Sequence, residues 1–371
     1  MNSATSAAPS GEAGGWIRDA RWDSVWLIGS AVLVPLVLIA VWAGTPAPII
    51  GVGVTAIIGG PHLFSTFAAT YLDGRFRRAH GAMLIALVAT IPALVAYMVV
   101  HHFQVMLSVF IFAASLHVLQ QNAYIAEMYR ARGGRRDGRL ARLIDHSVLM
   151  LSFYPVASYK LVRGTFVLGD VEILIPSFAK IPLTYWTIGA LFAVAAVAFV
   201  GKTILEWRRG ELQRGRVTLI AVTTTIAFLT PLTASGARLE LAFQAVNAWH
   251  SFQYMALIAL FLRVRTEAGL IESSRLTAVT RKASRFYGAC LLTTLVLFAS
   301  IMTLIRVDPL GLTANQYYYM GVLSCLLIHY ALDGYLFTAA FLRDPADAPF
   351  ATPFLDGARA RPLAPELTPA E

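Results

Sequence analysis

The chain has 371 residues, of which 57% are hydrophobic and only 14% charged. Soluble domains carry about 25% charged residues, so this composition excludes an ordinary soluble globular protein and indicates a polytopic membrane protein. The net charge of +9 does not point to nucleic acid, because the cations sit between apolar runs rather than in a patch interleaved with aromatics.

Residues 1–15 lack a basic segment followed by an apolar one; they read as a disordered tail rather than a cleaved signal. Ten candidate spans follow, at about 22–44, 47–71, 80–100, 103–128, 143–162, 181–205, 216–235, 238–262, 285–305 and 316–342. The segment 344–371 is rich in Pro and Ala and reads as a second tail. The expected fold is therefore all-α: one transmembrane domain, residues 16–343, built of about ten helices. Cys290 and Cys325 lie inside apolar runs and give no disulfide framework.

The connections alternate in charge. Arg75, Arg77 and Arg78 follow the second span, and Arg130, Arg132, Arg135, Arg136, Arg139 and Arg142 follow the fourth. Lys202, Arg208, Arg209, Arg214 and Arg216 fall around the sixth connection, and Arg263, Arg265, Arg275, Arg281, Lys282 and Arg285 around the eighth. The odd connections are poor in cations. By the positive-inside rule both termini are cytoplasmic. Trp16, Trp22 and Trp26 fit an inner aromatic belt, and Tyr317, Tyr318 and Tyr319 an outer one. The fifth connection, 163–180, is apolar with Gly and Pro breaks, and reads as an interfacial segment on the helix ends or as a lid.

Four histidines fall inside even-numbered spans: His62, His117, His250 and His329. The first arginine after each is Arg75, Arg130, Arg263 and Arg343, at separations of 13, 13, 13 and 14 residues. At about 1.5 Å rise per residue each imidazole stands roughly 20 Å above the arginine level. In a hydrocarbon core of about 30 Å that is near the midplane. Independent packing histidines need not share one depth; a common site requires it. Lipid offers no hydrogen-bond partner, so each must be buried in protein, hydrogen-bonded or bound to something.

Their neighbours are polar. Gln120 and Gln121 follow His117, Asn247 and Gln253 flank His250, and Asp333 lies one turn after His329. Imidazole ligates iron, zinc, copper and nickel, and its second nitrogen needs an amide, carboxylate or carbonyl partner. The four histidines are thus candidate metal ligands. Gln120, Gln121, Asn247 and Gln253 are candidate supports, or hydrogen bonds between helices. Asp333 and Tyr254 are the candidate catalytic residues, with Asp333 also a candidate ligand. Iron is the preferred ion. Copper would draw on Cys325 or Met255, and a haem would leave two histidines spare. The sequence carries no GxGxxG, Walker or HExxH pattern.

The strings GGPHLFSTFAATYLD (59–73), LHVLQQNAYIAEMY (116–129), NAWHSFQYMALIAL (247–260) and IHYALDGYLF (328–337) resemble those of a family of multi-pass bacterial membrane proteins without an assigned activity. That resemblance implies the bacterial cytoplasmic membrane. Gly59-Gly60-Pro61-His62 and His117-Val118-Leu119-Gln120 are also similar to ligand segments of the Brp/Blh family of membrane carotenoid oxygenases. The similarity implies a helical protein with intramembrane histidines on a non-haem iron. The later histidines depart from that family's close pair on one helix, being split between spans eight and ten. The expected function is a metal-dependent oxidoreductase that acts on a hydrophobic small molecule dissolved in the bilayer. The alternatives are a carrier for a metal ion, proton or small solute using the same histidines, and a haem-binding electron carrier.

Overall fold

The computed structural model describes residues 15–133, 137–236 and 238–342; the tails expected at 1–15 and 344–371 lie outside them, Gly15 excepted. The described residues are almost entirely helical. In chain order the helices are α1 (Ala20–Trp42), α2 (Ala47–Thr70), α3 (Gly74–His101) and α4 (Phe103–Arg132). Next come α5 (Arg139–Leu151), α6 (Tyr154–Arg163), α7 (Pro182–Arg208) and α8 (Arg214–Leu232). The chain closes with α9 (Arg238–Glu267), α10 (Ser274–Thr280), α11 (Ala283–Val307) and α12 (Ala314–Leu342). Nine helices among the described residues are long and apolar enough to cross a bilayer.

The fifth expected span, 143–162, is not one continuous helix: it is the pair α5 and α6. Pro155 explains the break. It has no N–H to donate to the Leu151 carbonyl one turn back, and its ring crowds that carbonyl; α5 ends at Leu151.

Helix α9 is the centre of the bundle. In it, 78% of the membrane-length window is buried, against 11% in α7 and 17% in α3 and α11. Lipid is as apolar as leucine, so burial alone does not hold such helices together; close approach and polar ties do. Gly60 shows the first device: a Cβ there would lie 2.2 Å from Thr294 Cγ2, so α2 and α11 touch only because this residue has no side chain. Just before it, α2 widens into a π-helical stretch, Thr55–Gly59, and Pro61 leaves the Ile57 carbonyl without its helical donor. The hydroxyl of Tyr287 on α11 donates to that carbonyl at 2.8 Å. The second device joins α1, α4 and α9. The Gln121 amide donates to Gln253 Oε1 at 2.6 Å, and the Gln253 amide donates to the Leu27 carbonyl at 2.6 Å, in the irregular part of α1.

At one end of the bundle, α4, α5, α7 and α8 share a buried ion network. Arg216, 1% exposed, pairs with Asp145 at 2.9 Å, Asp137 at 3.0 Å and Glu206 at 2.7 Å. Arg130 pairs with Glu127, Asp137 and Asp145, Lys202 with Asp145 and Glu206, and Arg142 with Glu127. Arg130, Lys202 and Arg216, read from sequence as connection cations, are thus corrected to interior cations matched by acids. Buried charges persist only when paired, and here each has partners on other helices.

At the opposite end, segment 164–181 carries a two-stranded antiparallel hairpin, β1 (Val167–Leu168) and β2 (Val171–Glu172). Gly169 takes the positive φ of 63° that its turn needs. Phe166, Leu168 and Ile173 are buried beneath it. Polar ties pin the hairpin to the three helices below. The Gly169 N–H donates to Glu240 at 2.9 Å, the Gln104 amide donates to the Glu172 carbonyl at 2.9 Å, and Asn315 donates to Asp170. The segment is therefore packed on the ends of α4, α9 and α12.

Candidate metal centre

The four intramembrane histidines come from α2, α4, α9 and α12 and meet at one place. Their rings form a closed square. Centroids lie 4.5 Å apart for His62–His329, 5.1 Å for His329–His117, 5.0 Å for His117–His250 and 4.9 Å for His250–His62. Each ring stands close to perpendicular to its neighbours, at 72° to 83°. Exposure is 2% for His62, 5% for His117, 2% for His250 and 0% for His329, and Asp333 beside them is 1% exposed.

Among the described residues, a buried nitrogen of each imidazole has no hydrogen-bond partner: Nε2 of His62, His117 and His329, and Nδ1 of His250. Asp333 Oδ2 is unpartnered too. It lies 3.6 Å from His117 Nε2 and 3.5 Å from His329 Nε2. Two overlapping trios, His62–His117–His250 and His117–His329–Asp333, each place one ligand atom per residue within 4.8 Å of the others. His117 belongs to both. Direct ligation of one ion places nitrogens within a few ångströms of one another, and these trios are placed to hold a metal ion.

The far side of two rings is fixed by the fold. His62 Nδ1 lies 3.3 Å from the Gly59 carbonyl and 3.3 Å from Ser251 Oγ. A carbonyl only accepts, so the proton belongs on Nδ1 and the lone pair on Nε2, toward the other rings. His329 Nδ1 lies 2.7 Å from Thr66 Oγ1. With the proton on that nitrogen, Thr66 accepts from His329 and donates onward, and Nε2 again keeps its lone pair for the centre. His117 is held by stacking on Tyr330, at 4.2 Å and 25°. Asp333 is held by its other oxygen: Oδ1 accepts from Tyr254 Oη at 2.6 Å and from Thr66 Oγ1 at 3.3 Å.

The remaining sequence candidates separate. Gln120 is exposed on the outside of α4, where it continues the stripe of Val105, Val109, Phe112 and Leu116. It has no place at the centre, because one residue of helical rotation divides it from the buried Gln121. Gln121 reaches the His250 main chain, donating to its carbonyl at 3.2 Å, and Gln253 spans α1 and α4; both act as ties between helices rather than on an imidazole nitrogen. Asn247 acts at one remove, accepting from Ser251, which in turn meets His62. Tyr254 donates to Asp333, and its ring packs edge-on against His62 at 4.8 Å and His329 at 5.4 Å.

Sequence reasoning passed over Thr66 and Ser251 as site residues. Thr66 lies one turn after His62 and Ser251 directly follows His250, so proximity to the histidines was the available signal.

Comparison with protein-family models, with characterised proteins and with solved structures finds no match.

Proposed function

We propose that this protein is an intramembrane metal-dependent oxidoreductase, with iron as the preferred ion, acting on a lipid-soluble small molecule. The observation that carries the reading is the set of five buried donor atoms, four imidazole nitrogens and one carboxylate oxygen, that have no hydrogen-bond partner among the described residues and face one another. Lone pairs turned toward one another in a dry site are unfavourable unless a cation lies among them. The donors are imidazole and carboxylate with no thiol, which suits iron, manganese or zinc over a soft copper site. Four rings packed at 4.5 to 5.1 Å leave no slot for a porphyrin, so the donor set favours a bare ion over haem. Among bare ions, iron is preferred for the local similarity of the His62 and His117 segments to the Brp/Blh oxygenases.

A bound iron would supply one-electron chemistry and reactivity toward O2. The protein's own contribution is separate. His62, His117, His250, His329 and Asp333 hold the ion. Gly59 and Ser251 set the tautomer and tilt of His62, Thr66 does the same for His329, and the surrounding apolar helices keep water out. Burial of all four rings, with helix-to-helix ties around them, favours an ion that stays over one that is exchanged across the membrane.

The test is elemental analysis of the detergent-purified protein, with an absorption or Mössbauer spectrum after growth on labelled iron. About one iron per chain supports the reading. Protein that carries no transition metal after loading with Fe(II), Mn(II) or Zn(II) would overturn it.

A further inference from the structure

The break between α5 and α6 opens an apolar cavity of about 50 Å³ in the side of the bundle. Phe153, Tyr154 and Ala157 line it from the break, Ile111 and Ser115 from α4, and Phe243 from α9. It belongs to a different part of the molecule from the histidines. Ser115 and His117 are two residues apart, about 3 Å along the helix axis, but point to nearly opposite sides of α4.

Three observations say what fits it. The roof is shut: Phe166 and Ile173 of the hairpin segment close the end, and both are buried. The only side-chain hydroxyls in its wall are spoken for, Tyr154 Oη with Ser115 Oγ at 3.0 Å and Ser115 Oγ with the Phe112 carbonyl at 2.8 Å. A water needs two to four polar partners, so such a cavity stays dry and takes apolar groups. Finally, Phe112 is the one lining residue that is exposed, at 37%, and it lies on the lipid-facing stripe of α4. The mouth therefore opens sideways into hydrocarbon.

We infer that this cavity is a binding site for the end of a hydrocarbon chain that enters laterally from the bilayer. A water-sized group needs about 10–15 Å³ of this kind of volume, so the space holds roughly four, a short run of methylenes or one isoprene unit. Lipid is equally apolar, so selection rests on the contacts of the aromatic walls rather than on escape from water. The site is separate from the metal centre: none of its lining residues is a candidate ligand, and Phe243, its nearest link on α9, lies two turns before His250, about 10 Å along the axis.

The test places the full-length protein in vesicles doped with palmitic acid bearing a terminal diazirine or, separately, with geranylgeraniol bearing a diazirine on its last isoprene unit. Peptide mass spectrometry after illumination maps the labels. The expected result is enrichment at Phe112, Tyr154 and Phe243 over the lipid-facing residues Leu183, Val194 and Val197 of α7, and the probe that gives it tells straight from branched chains. Ala157→Phe fills the cavity and reduces the enrichment to the α7 level with metal content unchanged. Ile173→Trp fills it from the roof and does the same, should the first variant fail to accumulate. Even labelling of the wild type, or enrichment that survives filling, overturns the inference.

Discussion

Tyr254 and Asp333 meet across two helices, the phenol oxygen 2.6 Å from Asp333 Oδ1, and that bond turns Asp333 Oδ2 toward the imidazoles of His117 and His329. The carboxylate is 1% exposed and, among the described residues, pairs with no lysine or arginine. An unbalanced carboxylate at this depth costs about 2.5–3.5 kcal/mol on insertion scales. A metal ion bound between the histidines would supply the missing positive charge. Asp333→Asn keeps the shape and removes the charge, so it should insert and fold but lose metal. Tyr254→Phe leaves the charge and frees the carboxylate to turn; supports of this kind are worth about 10–100-fold in metal affinity. Titration of the purified variants with Fe(II) measures both. Wild-type affinity in Asp333→Asn would mean that the site is built from histidines alone.

The histidines and the amides should behave differently. His117 belongs to both ligand trios, so His117→Ala removes a donor from each and should purify metal-poor. Gln253→Ala breaks the tie from α9 to the Leu27 carbonyl without touching a ring. Interhelical hydrogen bonds in membranes average about 0.6 kcal/mol, so this variant should keep most of its metal and lose a little thermal stability. Equal metal content in both variants and the wild type would make the histidine square a packing feature.

The histidine square was legible in the sequence because helix rise converts residue count into depth, and four counts agreed. The depth marker worked although Arg130 proves to be buried among acids. What the sequence does not encode locally is rotation and partnership. Gln120 and Gln121 are adjacent in sequence, yet one faces outward and the other the core. Thr66 and Asp333 are 267 residues apart and meet only after α2 packs on α12. The ion network was hidden because its pairs cross helix boundaries: Glu206 is ten residues from Arg216 and Asp145 fifteen from Arg130, but each lies on a different helix, and Asp145 meets Arg216 from 71 residues away only after α5 packs on α8.

Membrane topology gives a third prediction, because the α5–α6 pair is broken in the middle of the expected fifth span. If the pair crosses the bilayer, reporter fusions at residues 135 and 170 lie on opposite sides, with 135 cytoplasmic by the alternation of arginines. The same side for both would make α5 and α6 a re-entrant element and reverse the expected direction of every later helix.

The last prediction concerns Arg216. Its guanidinium is fully buried and contacts Asp137, Asp145 and Glu206 at once, so it links α5, α7 and α8 through three carboxylates. Arg216→Leu leaves those carboxylates to Arg130 and Lys202, which between them already pair with all three, so the network keeps its contacts but carries one excess buried negative charge. Removing one partner of a buried ion pair costs about 3–5 kcal/mol, because a buried charge is left uncompensated. The variant should therefore melt well below the wild type in detergent. Replacing Glu206 as well removes the excess negative charge, and since apolar substitutes for a whole buried pair are often neutral or better, Arg216→Leu with Glu206→Leu should recover part of the loss. The metal centre is built on other residues, so metal bound per folded chain should stay at the wild-type value in both. A melting temperature unchanged by Arg216→Leu would show that water reaches these charges and that the network adds little to stability.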